Sequence, residues 1–295
     1  MTIVSRTEDL EILLAVIDSG GFSAAARLLD IQVARVSRAV SRLESELGAT
    51  LLNRTTRRLE LTDEGQQFVS AVREGLRQLA SAEDGLRAQR GRPSGRLRVD
   101  AVTPFLLHQL VPLVPAFRAT YPDIQLELMA NERIIDLIER RTDLAIRIGA
   151  LEDSNLHAKL LGHSPLHLVA SPDYLASNGK PMQIEDLDQH TFIGFADAPH
   201  LNILPFKQPR AMQPKIASSS GEAIRQIALA GQGIALLSNF MIRQDIEQGR
   251  LIPLLGSQLQ SPNPRESVQA VYYRSDALPP RIAAFLEFIS KRIRL

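Results

Sequence analysis

Apolar residues recur at helical spacing through the N-terminal part of the chain, and they predict three helices. The first apolar stripe consists of Leu10, Leu13, Leu14 and Ile17. It ends at Ser19-Gly20-Gly21, where the glycines predict the end of a helix. Ser23 is the expected N-cap of a short second helix, AAARLL, whose apolar side is assigned to Leu28 and Leu29.

The third predicted helix, ARVSRAVSRLESELG, has a strongly cationic face. Its apolar positions are Val36, Val40, Leu43 and Leu47. On a different side, Arg35, Arg38 and Arg42 fall within about 60° of one another. Charged faces often contact only water, and Glu46 could pair with Arg42 inside the helix. The pattern alone therefore leaves open whether the arginines contact a partner.

A tight connection, DIQV, separates the second and third helices, and two short helices joined in this way indicate a helix-turn-helix. The stretch LLNRTTRRLELT predicts a two-stranded hairpin, or wing, after Gly48. Its tip carries Arg54, Thr55, Arg57 and Arg58. Residues 1–62 are therefore expected to form one small unit.

Thr62 is the expected N-cap of a long helix, with Asp63 and Glu64 suited to its first turn. Apolar residues then recur at spacings near 3.5, interrupted by Glu83, at Val69, Val72, Leu76, Leu79 and Leu86. This stripe predicts pairing with a second copy of the chain, and packing onto its own domain is the alternative. Arg92-Pro93-Ser94-Gly95 is expected to be a linker, so that residues 63–95 form a helix and hinge.

From residue 96 onward predicted strands and helices alternate, which is typical of an α/β domain with a mostly parallel sheet. RLRVDAV, IQLELMA and LAIRIG are predicted strands, with helices from Pro104 and around IIDLIERR. Composition changes after LHLVA, so one lobe is expected over 96–169 and 269–295 and the other over 170–268. SVQAVYYR and the helix RIAAFLEFISKRI return the chain to the first lobe. A cleft between two lobes suits a small ligand.

Two predicted strand-to-helix junctions are candidate ligand sites. Thr103-Pro104 and Ser218-Ser219-Ser220-Gly221 each open a helix, whose free N–H groups and positive dipole end favour an anion or carboxylate. Both junctions follow strands, and α/β sheets bind ligands at the carboxyl ends of their strands. Arg147 could add a positive charge. Ordinary helix capping and a surface role for Arg147 are the alternatives.

Amino-acid composition excludes several kinds of site and several classes of protein. The chain has 295 residues, 44% hydrophobic and 23% charged, which is ordinary for a globular protein of two or three folding units. It has no cysteine, so disulfides, thiolate metal sites and thiol-based redox sensors are excluded. No apolar stretch reaches the length of a membrane span, and the acidic N-terminus does not resemble a signal peptide. A cytoplasmic location is expected.

The net charge is only +1, but the charge is unevenly distributed. Between residues 35 and 58 six arginines oppose two glutamates, whereas residues 8–18 carry four acidic side chains. A local basic excess is expected of a small surface that contacts phosphates. Hydrolase, zinc-protease and P-loop motifs are absent. His163 and His167, predicted on one strand, would lie roughly 13 Å apart, too far to share a metal, so no catalytic group, metal or cofactor is predicted.

The chain resembles the LysR-type transcriptional regulators from end to end. The resemblance is carried by FSAAARLL, VSRAVSRLESELGATLLNRTTRRLELTDEG, YPDIQLEL, ASPDYL with GKP, and AGQGIALLS. NRTTRRLELT and GFADAPHLN are further similar to the CrgA-like branch of that family. The resemblance implies an N-terminal all-α winged helix-turn-helix with a long linker helix. It also implies an α/β two-lobe effector domain like that of periplasmic binding proteins.

Ala34–Leu47 would then be a recognition helix in the major groove of double-stranded DNA. The DNA-binding residues implied by the resemblance are Ser23, Arg27, Gln32, Ala34, Arg35, Ser37, Arg38, Arg42, Arg54, Thr55, Arg57 and Arg58. The sequence departs from the family where Gln32 and Val33 replace the usual Ser or Thr followed by Gln. Gln32 is a weaker N-cap than a hydroxyl residue, by about 0.5–1 kcal/mol.

The resemblance also implies a homodimer or homotetramer with a small-molecule effector between its lobes. Dimer contacts would come from the helix of residues 63–90, at Val69, Val72, Leu76, Leu79 and Leu86, and from Leu106, Leu110, Leu113, Phe117, Glu222 and Ile227. Pro112 and Pro115 are expected to bend the helix between Phe105 and Phe117. The implied effector-binding residues are Thr103, Pro104, Asn131, Arg147, Phe195, Ser218, Ser219 and Leu237.

A ligand-responsive bacterial transcription factor is the leading hypothesis. A solute-binding transport protein would explain the two lobes but not the first 90 residues, and it would need a signal peptide. An enzyme with an accessory helical domain would need a catalytic constellation, and the sequence offers none.

Overall fold

The computed structural model describes residues 5–54, 59–88, 92–131, 142–151, 156–273 and 278–295. These residues form two compact units. The first contains the described residues as far as Leu86, with Thr142, and the second contains the others. The predicted helix around IIDLIERR lies outside the described residues.

The first unit consists of helices and one short hairpin. Its elements are α1 Thr7–Ser19, α2 Phe22–Leu29, α3 Val33–Leu47, β1 Leu52–Arg54, β2 Leu59–Leu61 and α4 Asp63–Ala88. β1 and β2 are antiparallel, with Leu52 opposite Leu61. The three predicted helices, the hairpin and the long helix are confirmed.

The apolar stripes of α1 and α3 meet in the core of this unit, as their spacing predicts. Leu13, Val16, Val36, Val40 and Leu43 are all 0% exposed. The helices end at Gly20 and Gly48, both in the left-handed conformation that glycine adopts without strain.

The prediction for α2 was wrong in two respects. This helix begins at Phe22 with Gly21 as its N-cap, so Ser23 lies inside the first turn and does not cap it. Its buried side chains are Ala25 and Ala26, whereas Leu28 and Leu29 are exposed. Small side chains allow α2 to approach α1 and α3 closely, and the two leucines are left on the outer side.

The start of α4 is fixed by Thr62, as predicted. The Thr62 hydroxyl accepts a hydrogen bond from the Gly65 N–H at 2.9 Å and donates one to the Thr50 carbonyl at 2.7 Å. Gly65 packs so closely on the chain before β1 that a Cβ atom there would lie 2.1 Å from the Leu51 carbonyl oxygen. The Glu44 carboxylate accepts the Leu51 N–H at 2.9 Å, which ties the same segment to α3.

The second unit contains two five-stranded sheets and one short hairpin. Its strands are β3 Gly95–Ala101, β4 Ile124–Ala130, β5 Leu144–Ile148, β6 Leu156–His163, β7 Leu166–Ala170, β8 Phe192–Phe195, β9 Ile203–Leu204, β10 Arg210–Ala211, β11 Ile216–Ser218, β12 Ile234–Ser238, β13 Ile252–Leu254 and β14 Ser267–Tyr273. The strand order is β4-β3-β5-β14-β6 in the first sheet and β11-β8-β12-β7-β13 in the second. The two sheets define two lobes, lobe I and lobe II.

Both sheets are mixed, and the expectation of a mostly parallel sheet was wrong. In lobe I, β3 is parallel to β4 and β5, but β14 is antiparallel to β5 and β6. In lobe II, β8 is parallel to β11 and β12, but β7 is antiparallel to β12 and β13. The antiparallel strands include those that follow each crossing between the lobes, because they enter their sheet from the opposite end.

The predicted lobe boundaries also need correction. β7 pairs within the second sheet, so lobe II begins at Leu166 and not at residue 170. The return strand of lobe I begins at Ser267 and not at residue 269. His163 ends β6 and His167 lies in β7, so the two histidines are on different strands in different sheets, and the single strand predicted for HSPLHLVA was wrong.

The helices of the second unit cover these sheets. They are α5 Thr103–Phe105, α6 Val114–Thr120, α7 Pro172–Asn178, α8 Gly221–Leu229, α9 Asn239–Glu247 and α10 Pro280–Ser290. Between α5 and α6 the chain forms a π-helical turn, Leu106–Leu110, and a 3₁₀ turn, Val111–Leu113. The regular helix is therefore interrupted in the segment that contains Pro112 and Pro115, since proline disrupts regular α-helical hydrogen bonding; the predicted bend itself stays a prediction.

Among the described residues no single helix is long and apolar enough to cross a membrane; α1 and α2 meet the length and composition requirement only as a pair bent by 118°.

Candidate nucleic-acid interface and ligand site

The outer face of α3 is polar and open to solvent. The helix starts at Val33, and its N-cap, Gln32, makes no side-chain capping hydrogen bond, in line with its expected weakness as a cap. Ala34, Arg38 and Ser41 are exposed, opposite the buried stripe. Arg38 donates to the Ala34 carbonyl at 3.2 Å and has no carboxylate partner within the part of the chain that the structure describes. Among the described residues, no acidic side chain therefore compensates its positive charge on this face.

The other two arginines of α3 are paired with acidic residues of α1. Arg35 Nη2 lies 2.5 Å from Glu8 Oε1, and both side chains are more than half exposed, at 56% and 61%. Arg42 donates through Nε and Nη2 to the two carboxylate oxygens of Asp9, at 2.8 Å and 2.5 Å. The hydrogen bonds of Arg42 thus go to Asp9 and not to Glu46, the intrahelical partner that the sequence offered as an alternative.

Asp9 is 1% exposed, so this second pair joins α1 to α3 at the margin of the core. Hydrogen bonding to the Asp9 carboxylate raises the pKa of the Arg42 guanidinium above its ordinary value. Sequence spacing could not reveal either partner, since Glu8 lies 27 residues from Arg35 and Asp9 lies 33 residues from Arg42.

The structure describes the predicted DNA-binding side chains of α2 but not those of the wing. Ser23 and Arg27 are exposed on α2. On the wing, Arg54 ends β1 but its side chain lies outside the described residues, as do Thr55, Arg57 and Arg58.

In lobe I the predicted effector residues lie at one edge of the sheet. The parallel strands β3, β4 and β5 align with Ala101 opposite both Ala130 and Ile146, so their carboxyl ends coincide. Thr103, Asn131 and Arg147 lie at this edge. The edge is the position at which parallel sheets bind ligands.

The charge predicted for Arg147 is compensated. Its Nη1 donates to Asp100 Oδ1 at 2.8 Å, and the Asp100 carboxylate, 0% exposed, also accepts from the Asn131 amide. Asp100 was not predicted, although an acidic residue between Val99 and Ala101 at the end of a strand could have marked a buried polar partner. Arg147 cannot offer an unpaired charge to an anion in this arrangement.

In lobe II the predicted residues lie at the matching edge. Phe195 of β8 is the register partner of Ser218 of β11, and Ser219 is exposed next to it. Ser220 is the N-cap of α8 without a side-chain capping bond. Leu237 is only 2% exposed and belongs to the core, so its expected place in an effector site was wrong.

The two edges meet at Gly221. A Cβ atom at this glycine would lie 3.2 Å from Cγ of Pro104 and 3.8 Å from Cζ of Phe195. The expectation that Thr103-Pro104 opens a regular helix was wrong, because α5 has three residues and passes directly into the π-helical turn. Of the two predicted helix N-termini, only that of α8 begins a regular helix of nine residues.

Side chains of α5 and of the π-helical turn join lobe I to lobe II beside this junction. Gln109 is buried and its amide donates to the Phe240 carbonyl at 2.7 Å. Phe105 meets Phe240 edge to face, with ring centroids 5.3 Å apart. His108 Nε2 lies 2.7 Å from Glu222 Oε2. Burial opposes ionisation of Glu222, but hydrogen bonds from Gln226 and His108 and the nearby positive charges outweigh it and lower the pKa of Glu222.

Most residues predicted for the dimer interface face the core of their own unit. Val69 is 5% exposed in the core of the first unit, and Val72 and Leu76 pack against the same core. Leu110 and Phe117 are buried in the second unit, with Leu106, Leu113 and Ile227 packed against them, and Glu222 pairs with His108 and Arg225. Leu79 is 60% exposed, and the side chain of Leu86 lies outside the described residues.

The exposed apolar residues of the bent segment are instead Leu107 at 44% and Val111 at 43%. Leu107 lies in the π-helical turn and Val111 begins the 3₁₀ turn. Across the described ranges no group of three or more His, Cys, Asp or Glu side chains could hold a metal ion.

Two family models and several known proteins match this chain. The model of the LysR substrate binding domain matches residues 90–294, and that of the lysR family of bacterial regulatory helix-turn-helix proteins matches residues 7–66. The chain is 41% identical over 293 residues to the HTH-type transcriptional regulator CrgA of Neisseria meningitidis serogroup C, covering 98% of this chain and 97% of that protein.

Two further likenesses agree with this match. The chain is 33% identical over 286 residues to the HTH-type transcriptional regulator PtxR of Pseudomonas aeruginosa, covering 95% and 90% of the two chains. A solved structure of CrgA, described as a LysR-type transcriptional regulator, has a TM-score of 0.65 at 40% identity and covers 97% of this chain and 98% of its own.

Proposed function

Because the chain belongs to the LysR family of bacterial transcriptional regulators, we propose that the outer face of α3 is its contact surface with operator DNA. The protein is a sequence-specific DNA-binding transcriptional regulator with an effector-binding domain. This function replaces the alternative of a solute-binding transport protein. The family is not an enzyme class, and we propose that the chain catalyses no reaction.

The observation that carries the proposed surface is the open, uncompensated charge of Arg38 on a solvent-exposed helix face. In a helix-turn-helix the second helix enters the major groove, and flanking cations contact phosphates. Under this proposal residues 1–62 bind DNA, with Ala34, Ser37 and Arg38 toward the bases. Arg35, Arg42 and the wing residues Arg54, Thr55, Arg57 and Arg58 contact the backbone, as Ser23, Arg27 and Gln32 do from the helix-turn-helix.

The family binds small-molecule effectors and forms oligomers. We propose that residues 96–295 hold the effector at the facing edges of lobe I and lobe II, between Thr103, Pro104, Asn131, Phe195, Ser218 and Ser219. An anionic effector would be bound by the first-turn N–H groups of α8, since the charge of Arg147 is compensated. Binding would shift the lobes and, through residues 63–95, the DNA-binding units.

We propose a homodimer or homotetramer acting in the cytoplasm. Leu79 of α4 and the outward pair Leu107 and Val111 are apolar side chains available to a second copy. Two DNA-binding units would then occupy half-sites about one helical turn apart, or multiples of it.

The direct test is fluorescence anisotropy with the duplex upstream of the protein's own gene, against a scrambled duplex of equal length at two salt concentrations. Preference for the native duplex by about 10³ or more, with a steep loss on added salt, is expected for specific recognition. Equal, weak binding to both duplexes would contradict an operator at that location.

Arg38→Ala is expected to weaken binding to the native duplex about tenfold or more, because it removes an uncompensated charge from the proposed contact face. Thermal unfolding should be unchanged, since Arg38 is exposed and makes only one local hydrogen bond. Arg118→Ala, which removes an exposed arginine from α6 in the other unit, is the matched control. Equal affinities of the two variants at matched salt would exclude the proposed face.

Ser219→Glu is expected to abolish the response to effector while leaving DNA affinity unchanged. The added carboxylate would stand at the N-terminus of α8, where it would occupy the N–H groups and repel an anion. The response is measured by titrating small carboxylic acids into the protein–operator complex, and Ser219→Gln controls for side-chain size. A full response by the glutamate variant would show that the effector binds elsewhere.

A further inference from the structure

We infer that Glu8 of α1 competes with the DNA backbone for Arg35 and thereby lowers the affinity and the salt dependence of DNA binding. The inference rests on the proposed DNA-binding face of α3. It concerns an acidic residue that no resemblance to a family assigns.

The two acidic residues at the start of α1 differ sharply in burial. Asp9 is 1% exposed and holds Arg42 through two hydrogen bonds, so that pair is part of the packing of α1 against α3. Glu8 is 61% exposed and is paired with an Arg35 side chain that is 56% exposed. An exposed pair is weak and can separate at little cost.

Arg35 lies on the flank of the outer face of α3. On a helical projection it is about 60° from Arg38 and on the side that faces α1. Arginines beside a recognition helix contact phosphates, whereas the centre of the face contacts bases. The guanidinium of Arg35 therefore has two alternative anionic partners. One is the Glu8 carboxylate in the free protein, and the other is a phosphate in the complex.

This competition has a defined consequence for ion release. A free arginine that binds a phosphate releases about one condensed cation from DNA. When Arg35 must first leave Glu8, the exposed carboxylate is left beside the phosphates and attracts a cation, which cancels that release. The Arg35–Glu8 pair thus contributes almost nothing to the salt dependence of binding, although it contains an arginine.

Glu8→Gln is the test, measured by anisotropy with the native and scrambled duplexes between about 50 and 200 mM salt. At low salt we expect binding to both duplexes to be about two- to five-fold tighter than for the wild type. The plot of log K against log salt should be steeper by about 0.9. Thermal unfolding is expected to be unchanged, because the pair is exposed.

Two matched variants distinguish this pair from a general charge effect. Glu11→Gln removes an exposed charge from the same helix, but no ion pair joins Glu11 to α3 among the described residues. It should change the slope by much less than Glu8→Gln. In an Arg35→Gln background, Glu8→Gln should have a much smaller effect on affinity and slope, because only the repulsion between the free carboxylate and the phosphates is then removed.

Failure of this inference can be separated from failure of the proposed face. If Arg38→Ala weakens binding while Glu8→Gln matches the wild type in affinity and slope, the competition is refuted and the face stands. If Glu11→Gln has the same effect, or if the effect of Glu8→Gln is undiminished without Arg35, the competition is refuted as well. If Arg38→Ala has no effect, both the face and the inference are wrong.

Discussion

Alanine at Gly65 is expected to lower the free energy of unfolding of the first unit by roughly 3 kcal/mol. The added Cβ would lie 2.1 Å from the Leu51 carbonyl oxygen and 2.9 Å from its carbon, and these are backbone atoms that cannot rotate away. The segment before β1 would have to move. That movement would strain the Thr62 N–H bond to the Leu51 carbonyl and the contacts of Glu44 with the same segment.

Gly75→Ala is the matched control, because Gly75 lies in the same helix and a Cβ there meets nothing within 4 Å. It should stabilise the unit by up to about 1 kcal/mol, since alanine favours helix. Hydrogen exchange of amides in α1–α4 during urea titration reports this unit separately from the other. Equal stability of both variants would mean that α4 can shift away from Leu51 without cost.

Asp245→Ala is expected to lower the free energy of unfolding of the second unit by about 3–5 kcal/mol. The Asp245 carboxylate is 0% exposed and receives hydrogen bonds from Arg225 Nε at 2.6 Å and Nη2 at 2.9 Å. Arg250 Nη2 lies 2.5 Å from Oδ1 of the same carboxylate. Removing it leaves the buried Arg225 guanidinium with Glu222 as its one acidic partner among the described residues, and the ion pair between α8 and α9 is lost.

The control for this change is Glu247→Ala on the same helix. Its carboxylate is 60% exposed and pairs with Arg243 at 3.4 Å, so the expected loss is below about 0.5 kcal/mol. Hydrogen exchange of amides in α8 and α9 measures both variants. A loss for Asp245→Ala as small as that of the control would mean that water replaces the carboxylate around Arg225.

Hydrophobic spacing predicted which helices have an apolar side, but it could not predict what covers that side. For α3 the spacing identified Val36, Val40 and Leu43 correctly. The same reasoning assigned Val69 to a partner subunit, and the resemblance to the family assigned Phe117 to one, whereas both are buried in their own units. An apolar stripe looks identical in the sequence whether a second copy or the same chain packs on it.

Neither the relative direction of the strands nor the partners of the charged residues could be predicted from the sequence, because both depend on contacts between distant parts of the chain. Alternation of strands and helices indicates an α/β domain, but β7 and β14 become antiparallel only because the chain crosses between lobes before each. Arg147 is paired with Asp100, 47 residues away, and Arg42 with Asp9, 33 residues away. Local patterns carry no information on such contacts, so the arginines were recognised and their partners were not.

The packing of Phe105 against Phe240 has a mechanical consequence. One continuous apolar cluster includes Val99 and Val268 of lobe I and Ile193 and Leu237 of lobe II, and this aromatic contact lies within it. Buried apolar area does not tolerate wide separation, because each exposed square ångström costs about 25 cal/mol. The lobes should therefore unfold in a single cooperative transition, and wide separation of the lobes about this packed edge should be unfavourable.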